Sequence, residues 1–431
     1  MFFRSTVIVT SHVTSLCLGI AMANAAPVPV PVTLTLAQAL AIASEYNHDL
    51  RLTALTVQAA AAARLTAAAS PNPTLTVQAL NINPSIGIGG GGLRDKTVDS
   101  TMRIDQVFER GFKRQLRMAT AEQLDAAAQS DLREARRQLR ISVAQAYFDA
   151  LAADEKHTIT QQTAALYLDT VTATQKRLQS GDIARADLAR LQIDALRAQN
   201  DAVQSEADQR KARQMLRLLL GSRNPTTDLV LTETWPLHLP IPSQQNSVST
   251  DERPDVLAAQ ARLRAAATSR KLALAQRTRD ISIGVQAEHY PTSVTNSQGS
   301  GNSFGIAVQF PIFARYEFDG EIRTADIALT SAQEALDKSR DQARSEIQNS
   351  WDIAQAAFQR LRRYDDTLLA LAQKSADAAE FAYKHGAVGV TDVLDARRTY
   401  RAIRLEALAA RADYAKSLVA WQAATFESTV P

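Results

Sequence analysis

The chain has 431 residues and a net charge of +3, with Lys and Arg interleaved with Asp and Glu along its length. It lacks the basic face that nucleic-acid binding requires, so we expect no nucleic-acid partner. Aromatic residues make up only 6% of the chain and alanine is abundant, which favours long, closely packed helices over several separate globular cores.

The N-terminal residues 1–25 have the pattern of a secretory signal peptide. Arg4 precedes an apolar run at 7–22, and an Ala-Asn-Ala sequence ending at Ala25 supplies the cleavage site. The run is too short for a membrane-spanning helix. Cys17, the only cysteine, follows a leucine instead of the small residue that a lipoprotein needs, so we do not expect lipidation. After cleavage the chain has no cysteine, which excludes disulfides and thiol catalysis.

The first half predicts a helix, a β-hairpin and a long helical hairpin. A helical apolar pattern at 36–69 ends at the Ser-Pro-Asn-Pro of 70–73. Apolar and polar residues then alternate as in strands at 74–80 and 98–105, around a Gly-rich loop at 87–92. Neither Pro nor Gly occurs from 113 to 180, which predicts a helix of about 67 residues and roughly 100 Å. A return helix is predicted from Asp187 to Leu220.

The second half repeats this order after a Pro-rich stretch at 224–248. It predicts helices and strands in the order helix 255–277, strands 281–288 and 304–310, helix 321–385 and helix 391–426. Apolar residues of the long helix recur at spacings of three and four, as in coiled coils. The summed length of the two shorter helices of each half is close to the length of the long helix. This predicts that the two shorter helices lie end to end beside the long one. We therefore expect two structural repeats, 26–220 and 251–431, joined by a linker at 221–250.

The strands are long enough to cross a bilayer when tilted. On the strand at 281–288, apolar side chains at the odd positions would face lipid, and Ser282, Gly284, Gln286 and Glu288 would point inward. Four strands cannot close into a barrel, and lipid does not tolerate an open sheet edge, so the chain is expected to oligomerise. A dimer supplies eight strands and a trimer twelve; we favour the trimer because twelve leave room for a water-filled lumen. A soluble hairpin packed on the helices is the alternative.

With this plan the sequence resembles the TolC-like family of outer-membrane efflux channels over essentially the whole mature chain. The resemblance implies a mainly α fold with a transmembrane β-barrel. Four strands per protomer of a homotrimer would form a twelve-stranded barrel, and the duplicated long α-hairpins would form a periplasmic α-barrel. Ser-Pro-Asn-Pro at 70–73, Gln-Val-Phe-Glu-Arg-Gly at 106–111 and Glu-Arg-Pro-Asp-Val at 252–256 are similar to the branch that serves heavy-metal resistance–nodulation–division pumps of the cobalt–zinc–cadmium type.

The resemblance also implies the location and the partners. The channel would sit in the outer membrane of a Gram-negative bacterium, in contact with lipid, and extend into the periplasm. It would bind a periplasmic adaptor (membrane fusion) protein and an inner-membrane pump. Two glycines, Gly181 and Gly386, each end a helical pattern and predict the tips of the helical hairpins. The tip residues expected to contact the adaptor or pump are Gly181, Asp182, Ala184, Gly386, Ala387 and Gly389.

Two aspartates match the periplasmic gate of the family. Asp392 and Asp395 lie one helical turn apart, and in a trimer they would form a ring of six carboxylates that favours cations. Helix N-capping is an alternative role for Asp392.

A tyrosine and a third aspartate match the latch of that gate. Tyr383 corresponds to a tyrosine that bonds an aspartate of the neighbouring hairpin, here Asp187; simple packing at a helix end is its alternative role. Val388 occupies the position of the family's gate arginine. Arg185 and Lys384 are the candidates to replace that arginine.

No residue pattern suggests an enzyme, a cofactor or a tight metal site. The histidines are scattered and lack the His-Glu-x-x-His spacing. We therefore expect a passive exit duct, most similar to those for heavy-metal cations. Multidrug or solvent efflux and type I protein secretion are alternative functions of such a duct. A soluble periplasmic coiled-coil structural or adaptor protein is an alternative of a different class.

Overall fold

The computed structural model describes residues 33–80, 82, 98–181, 183–221, 229–237, 250–290 and 301–425. The expected signal peptide with Cys17, the Gly-rich loop at 87–92 and Asp182 lie outside these described residues. Within them the chain is mainly helical, as the sequence predicts.

Both halves of the chain place a β-hairpin between a shorter helical segment and a long helical hairpin. The first half consists of β1 (Thr33–Leu34), α1 (Leu36–Tyr46), α2 (His48–Ala68), β2 (Thr74–Leu80), β3 (Asp99–Phe108), α3 (Lys113–Gln179) and α4 (Arg185–Leu219). After β4 (Val230–Leu231), the second half consists of α5 (Pro254–Ala275), β5 (Ile281–Tyr290), β6 (Gly301–Gln309), α6 (Asp319–Arg363), α7 (Leu369–Lys384) and α8 (Val390–Ala424). Both long helices begin directly after a left-handed phenylalanine, Phe112 (φ 59°) or Phe318 (φ 65°).

The long helix α3 has 67 residues without a break, as predicted. Both α2 and α4 pack against α3, while α5 and α8 pack against α6. The end of α4 meets the junction of α1 and α2, where Asn47 Nδ2 donates a hydrogen bond to the Leu219 carbonyl at 2.9 Å. These contacts confirm that shorter helices lie end to end beside a long one in the first half.

Asn47 divides the helix that the sequence predicts at 36–69. Its backbone is extended (φ −62°, ψ 130°), and its Oδ1 accepts a hydrogen bond from the Leu50 amide at 3.0 Å. This bond satisfies one of the free amides at the start of α2, which is the role of a helix N-cap. The prediction of one continuous helix is therefore wrong, because an asparagine inside a helical apolar pattern starts a second helix here.

The helix predicted at 321–385 is also interrupted. A five-residue π-turn, Tyr364–Leu368, separates α6 from α7. Arg411 of α8 donates a hydrogen bond to Asp365 within this turn at 2.8 Å. A π-turn adds one residue to a helix without ending it, so the three-four spacing of the apolar residues gives little sign of it.

A short strand pair was not predicted. Thr33 and Leu34, which directly precede the predicted helix, pair in parallel with Val230 and Leu231, which lie in the predicted linker. Tyr147 donates a hydrogen bond to the Leu34 carbonyl at 2.7 Å. The pairing joins segments that are far apart in sequence, so no local pattern indicates it.

The four long strands form one antiparallel sheet in the order β2-β3-β5-β6. Side chains that are apolar and more than half exposed form a row across one face: Leu75, Ile104, Val285 and Ile306. The adjacent row on the opposite face is polar or small: Thr76, Arg103, Gln286 and Gly305. The predicted strands and their alternation are confirmed, and the sheet of the single chain is open.

A buried ion cluster joins the two halves of the chain. Arg253 is 1% exposed, and its Nη2 donates hydrogen bonds to Glu346 at 2.7 Å and Asp255 at 2.9 Å. Arg137 of α3 donates to the same Glu346 at 2.9 Å. Arg253 Nη1 also donates to the Ala424 carbonyl at the end of α8, at 3.4 Å. The cluster therefore connects α3, α5, α6 and α8 at one point.

Replacing Arg253 by leucine should destabilise the fold strongly. Glu346 and Asp255 each lose a charged partner, and the loss of one member of a buried ion pair costs about 3–5 kcal/mol. Arg340→Leu is the matched control, because its 2.9 Å pair with Asp251 involves a carboxylate that is more than half exposed, and such pairs contribute below about 1 kcal/mol. Thermal unfolding followed by circular dichroism measures both variants. Equal losses in the two variants would contradict the proposed importance of the cluster.

The same cluster predicts a pH dependence. Burial alone raises the pKa of the Glu346 carboxyl, but hydrogen bonds from Arg137 and Arg253 outweigh this effect and hold the pKa below its usual range. A lowered folded-state pKa stabilises the protein above the unfolded-state pKa of about 4.3, and this stabilisation is lost as the pH falls through the folded-state value. The melting temperatures of the wild type and Glu346→Gln should therefore differ more at pH 6 than at pH 3. A difference that does not change with pH would contradict this account.

Candidate functional site

The predicted site lies at the tips of two helical hairpins. Gly181 and Gly386 follow the ends of α3 and α7 with φ of +83° and +76°, the left-handed conformation expected for a glycine that ends a helix. A Cβ atom at either position would meet nothing within 4 Å. The described small residues of the tips are all exposed: Gly181, Ala184, Gly386, Ala387 and Gly389. The tips thus present a backbone-rich surface with few side-chain contacts.

The aspartates of the two tips lie in the first turns of the return helices. The helix α8 begins after Gly389, and Asp392 Oδ2 accepts a hydrogen bond from the Gly389 amide at 3.2 Å. Asp392 therefore caps the helix from its third position, while the N-cap residue itself is Gly389. In the same way α4 begins at Arg185, so that Asp187 lies in its first turn.

Asp392 and Asp395 lie on one face of α8. Both residues are exposed, whereas the intervening Val393 and Leu394 are buried. Leu394 packs into an apolar cluster with Tyr167 of α3 and residues of α4. The burial of this neighbour fixes the rotation of the first turns of α8 and leaves the two aspartates exposed.

Within the single chain, Tyr383 contacts the first hairpin through Arg177. The Arg177 guanidinium lies 5.0 Å from the centre of the Tyr383 ring, a cation–π contact. The Asp187 Oδ1 atom lies 3.9 Å from the Nη1 atom of Arg190 in its own helix. In the described part of this single chain, Tyr383 and Asp187 do not form a hydrogen bond.

Lys384 pairs with Glu380 of its own helix at 3.0 Å. Hydrogen bonds from Arg397 first, and from Lys384 second, lower the pKa of the Glu380 carboxyl. In the single chain Lys384 therefore joins residues of α7 to each other.

Arg398 is a residue of the site that the sequence pattern did not single out. Its guanidinium donates hydrogen bonds to Asp395 at 3.0 Å and to Asp194 of α4 at 2.5 Å. The signal in the sequence is the Arg-Arg pair at 397–398, directly after the aspartates. The Arg-Arg pattern does not predict which helix the two arginines contact, because their contacts depend on how the hairpins pack.

The structure gives no sign of a resident metal ion in the part that it describes. Among the described residues, no three His, Cys, Asp or Glu side chains come together as metal ligands. The helices of the described ranges also include none that is both long and apolar enough to cross a bilayer.

The chain is similar to known proteins over most of its length. It is 24% identical over 327 residues to the cobalt-zinc-cadmium resistance protein CzcC of Cupriavidus metallidurans, covering 73% of this chain and 74% of CzcC. It is 26% identical over 301 residues to the cation efflux system protein CusC of Escherichia coli, covering 68% of this chain and 65% of CusC. A crystal structure of CusC has the same fold, with a TM-score of 0.75 at 20% identity over 90% of this chain and 91% of CusC.

The outer membrane efflux protein family matches residues 39–222 and 247–425, which together span both halves of the chain. The match confirms the resemblance inferred from the sequence. It also assigns the protein to the outer membrane and to a family of channels that are not enzymes. The chain belongs to the outer membrane efflux protein family.

Proposed function

We propose that the chain is one protomer of a homotrimeric exit duct for a tripartite efflux system that exports heavy-metal cations. The observation that carries this proposal is the in-register apolar face of the sheet. Ile306 in β6 and Val285 beside it in β5 are 80% and 58% exposed. Apolar side chains on one face and polar ones on the other are the pattern of a strand between lipid and an aqueous lumen.

The sheet edges favour three copies. Among the described strands β2 and β6 are the outer ones, each with one strand partner. Lipid cannot satisfy the backbone groups of a free edge, so β2 of one copy would pair with β6 of the next. Three copies supply twelve strands, enough to enclose a water-filled lumen, with the repeats 26–220 and 251–431 each contributing one hairpin.

The helices would continue this lumen into the periplasm. At 1.5 Å per residue, the 67 residues of α3 span about 100 Å. The tips lie at the far end of the helical hairpins from the sheet, where a periplasmic adaptor and an inner-membrane pump would dock. Exposed glycine and alanine at Gly181, Ala184, Gly386, Ala387 and Gly389 would let helices of those partners approach closely. Asp182, which follows Gly181 in the sequence, is proposed as a further contact residue.

The entrance would select for cations. Asp392 and Asp395 are exposed on one face of α8, and three copies would bring six carboxylates to the pore axis. A ring of carboxylates attracts cations and disfavours anions. Tyr383 and Asp187 would contribute to the closed state by contacts within or between protomers. The cation cargo is also supported by the similarity to CzcC and CusC, which are named for cobalt-zinc-cadmium resistance and cation efflux.

Replacing Asp392 and Asp395 together by asparagine should lower cation selectivity. The double variant removes six formal charges from the trimer entrance, so the ratio of cation to anion permeability should fall while the fold is kept. Reversal potentials in planar bilayers under a salt gradient measure this ratio. Asp341→Asn is the matched control, because this exposed residue of α6 lies about 65 Å from the tip at 1.5 Å per residue. Unchanged selectivity in the double variant would remove these residues from the gate.

Deleting the gene should make the cell sensitive to divalent metals. Growth is measured across cobalt, zinc, cadmium, nickel, copper and silver, beside a panel of hydrophobic drugs and an assay of secreted polypeptides. Selective metal sensitivity that the intact gene restores is the expected result. Sensitivity to drugs alone, or loss of a secreted polypeptide, would contradict the metal cargo and assign the duct to multidrug efflux or type I secretion.

A further inference from the structure

The turns that join the sheet to the long helices expose large apolar side chains. Phe112, between β3 and α3, is 75% exposed, and Ile312 and Tyr316, between β6 and α6, are 74% and 51% exposed. Phe108 and Phe310, at the ends of β3 and β6, are also more than half exposed. Phe112 adopts a left-handed backbone conformation, which is costly for a residue with a side chain. The apolar face of the sheet therefore continues into these turns.

Two arginines belong to the same end of the sheet. The last pair of the β3–β5 ladder joins Phe108 to Ile281, both on the apolar face. Continuing this register by two residues brings Arg110 opposite Arg279 on that face, because alternate residues of a strand share a face. The Arg110 amide donates a hydrogen bond to Asp280 Oδ1 at 2.9 Å, which keeps the two segments together beyond the last strand pair.

Neither arginine forms an ion pair with a carboxylate of the described residues. Three carboxylates in or beside these turns pair with other cations: Asp280 with Lys113, Glu109 with Arg117 and Asp319 with Arg277. Like charges directly opposite each other destabilise a sheet. Arg110 and Arg279 are both exposed, so an anion from outside the chain can reach them and offset their repulsion.

An aromatic ring supports one of the two guanidinium groups. The Arg279 guanidinium lies 5.5 Å from the centre of the Phe313 ring, and Phe313 packs edge-on against Phe318 with ring centres 5.3 Å apart. A guanidinium stacked on a ring keeps its N–H groups free at the edge, where they match two phosphate oxygens. Arg315, two residues beyond Phe313, is exposed and also lacks an ion pair among the described residues.

The neighbouring apolar surface indicates which kind of anion fits. A small free anion would offset the charge of the arginines and leave the exposed phenylalanines in water. A phospholipid contacts both, because its acyl chains lie along apolar side chains and its phosphate lies at the membrane boundary, where aromatic and basic residues are common. These strand ends lead into the helices, so in the proposed duct they lie at the periplasmic boundary of the outer membrane.

We propose that Arg110 and Arg279, with Arg315 nearby, bind the phosphate of an anionic glycerophospholipid in the periplasmic leaflet of the outer membrane. Phe112 and Tyr316 contact the lipid beside its headgroup. The site rests on the proposed lipid-facing role of the sheet, and a trimer carries three such sites around its barrel.

Native mass spectrometry of the purified protein in detergent, titrated with phosphatidylglycerol, tests the site. Arg110→Gln/Arg279→Gln should weaken the apparent affinity for phosphatidylglycerol about tenfold, because two cationic groups near the phosphate are lost. The preference for phosphatidylglycerol over zwitterionic phosphatidylcholine should fall with it. Arg110→Lys/Arg279→Lys keeps both charges and should keep most of that preference. If the double glutamine variant does not assemble, Arg110→Gln and Arg279→Gln are measured singly, and each should weaken binding.

Arg344→Gln/Arg362→Gln is the matched control. It removes the same number of charges from two arginines of α6 that are 65% and 61% exposed. Both lie at least about 37 Å along α6 from its start near the sheet, at 1.5 Å per residue. The control should bind phosphatidylglycerol as the wild type does.

The outcomes separate the lipid site from the duct. Wild-type affinity in the glutamine variants, or an equal loss in the control, would overturn the site and leave the duct standing. Displacement of phosphatidylglycerol by an equal concentration of inorganic phosphate would also overturn it, because the arginines would then form a site for small anions. A wild-type protein that is soluble without detergent and binds neither lipid would overturn both the site and the proposed function.

Discussion

The architecture depends on how the exposed apolar face of the sheet is covered. Leu75, Ile104, Val285 and Ile306 lie in register across four strands and stay more than half exposed in the single chain. Water is a poor solvent for such a surface, since removing apolar area from water stabilises a structure by about 25 cal/mol per Å². In the proposed trimer the membrane would cover this face, and further copies of the chain would cover the edges. The proposed trimer follows from these two requirements together.

The helical part meets the opposite requirement, because it must stay in water while its helices pack closely. Alanine supplies many of the buried contacts, for example Ala144 and Ala150 of α3 and Ala410 and Ala415 of α8. Small side chains let long helices approach each other over their whole length. The charged cluster of Arg137, Arg253 and Glu346 adds a fixed point between the halves, and the arginines of α8 add another near the tips.

Local patterns predicted most of the elements because the signals are strong at that scale. The absence of Pro and Gly predicts α3 to within a residue, and period-two alternation locates all four long strands. The errors came from single residues whose partners are distant. Asn47 starts a new helix because its side chain reaches both the Leu50 amide and the Leu219 carbonyl. The π-turn at Tyr364–Leu368 is held by contacts with α8.

The same limit applies to the candidate site. The glycines and aspartates of the tips could be found from sequence because they mark the ends and starts of helices. The partner of Asp395 could not, since Arg398 reaches Asp194 only when two hairpins far apart in sequence pack together. Likewise the contact between Tyr383 and Arg177 joins residues that are far apart in sequence, so residue spacing does not indicate it. Residue type and spacing thus predict the helix ends at which the proposed gate residues lie, and tertiary packing determines their partners.

The native mass of the protein extracted from the outer membrane in detergent tests the central claim most directly. The account predicts a membrane-bound complex of three chains that dissociates on heating. A monomer in the membrane fraction would contradict closure of the sheet by three copies. A soluble periplasmic protein would contradict the lipid-facing role of the sheet altogether.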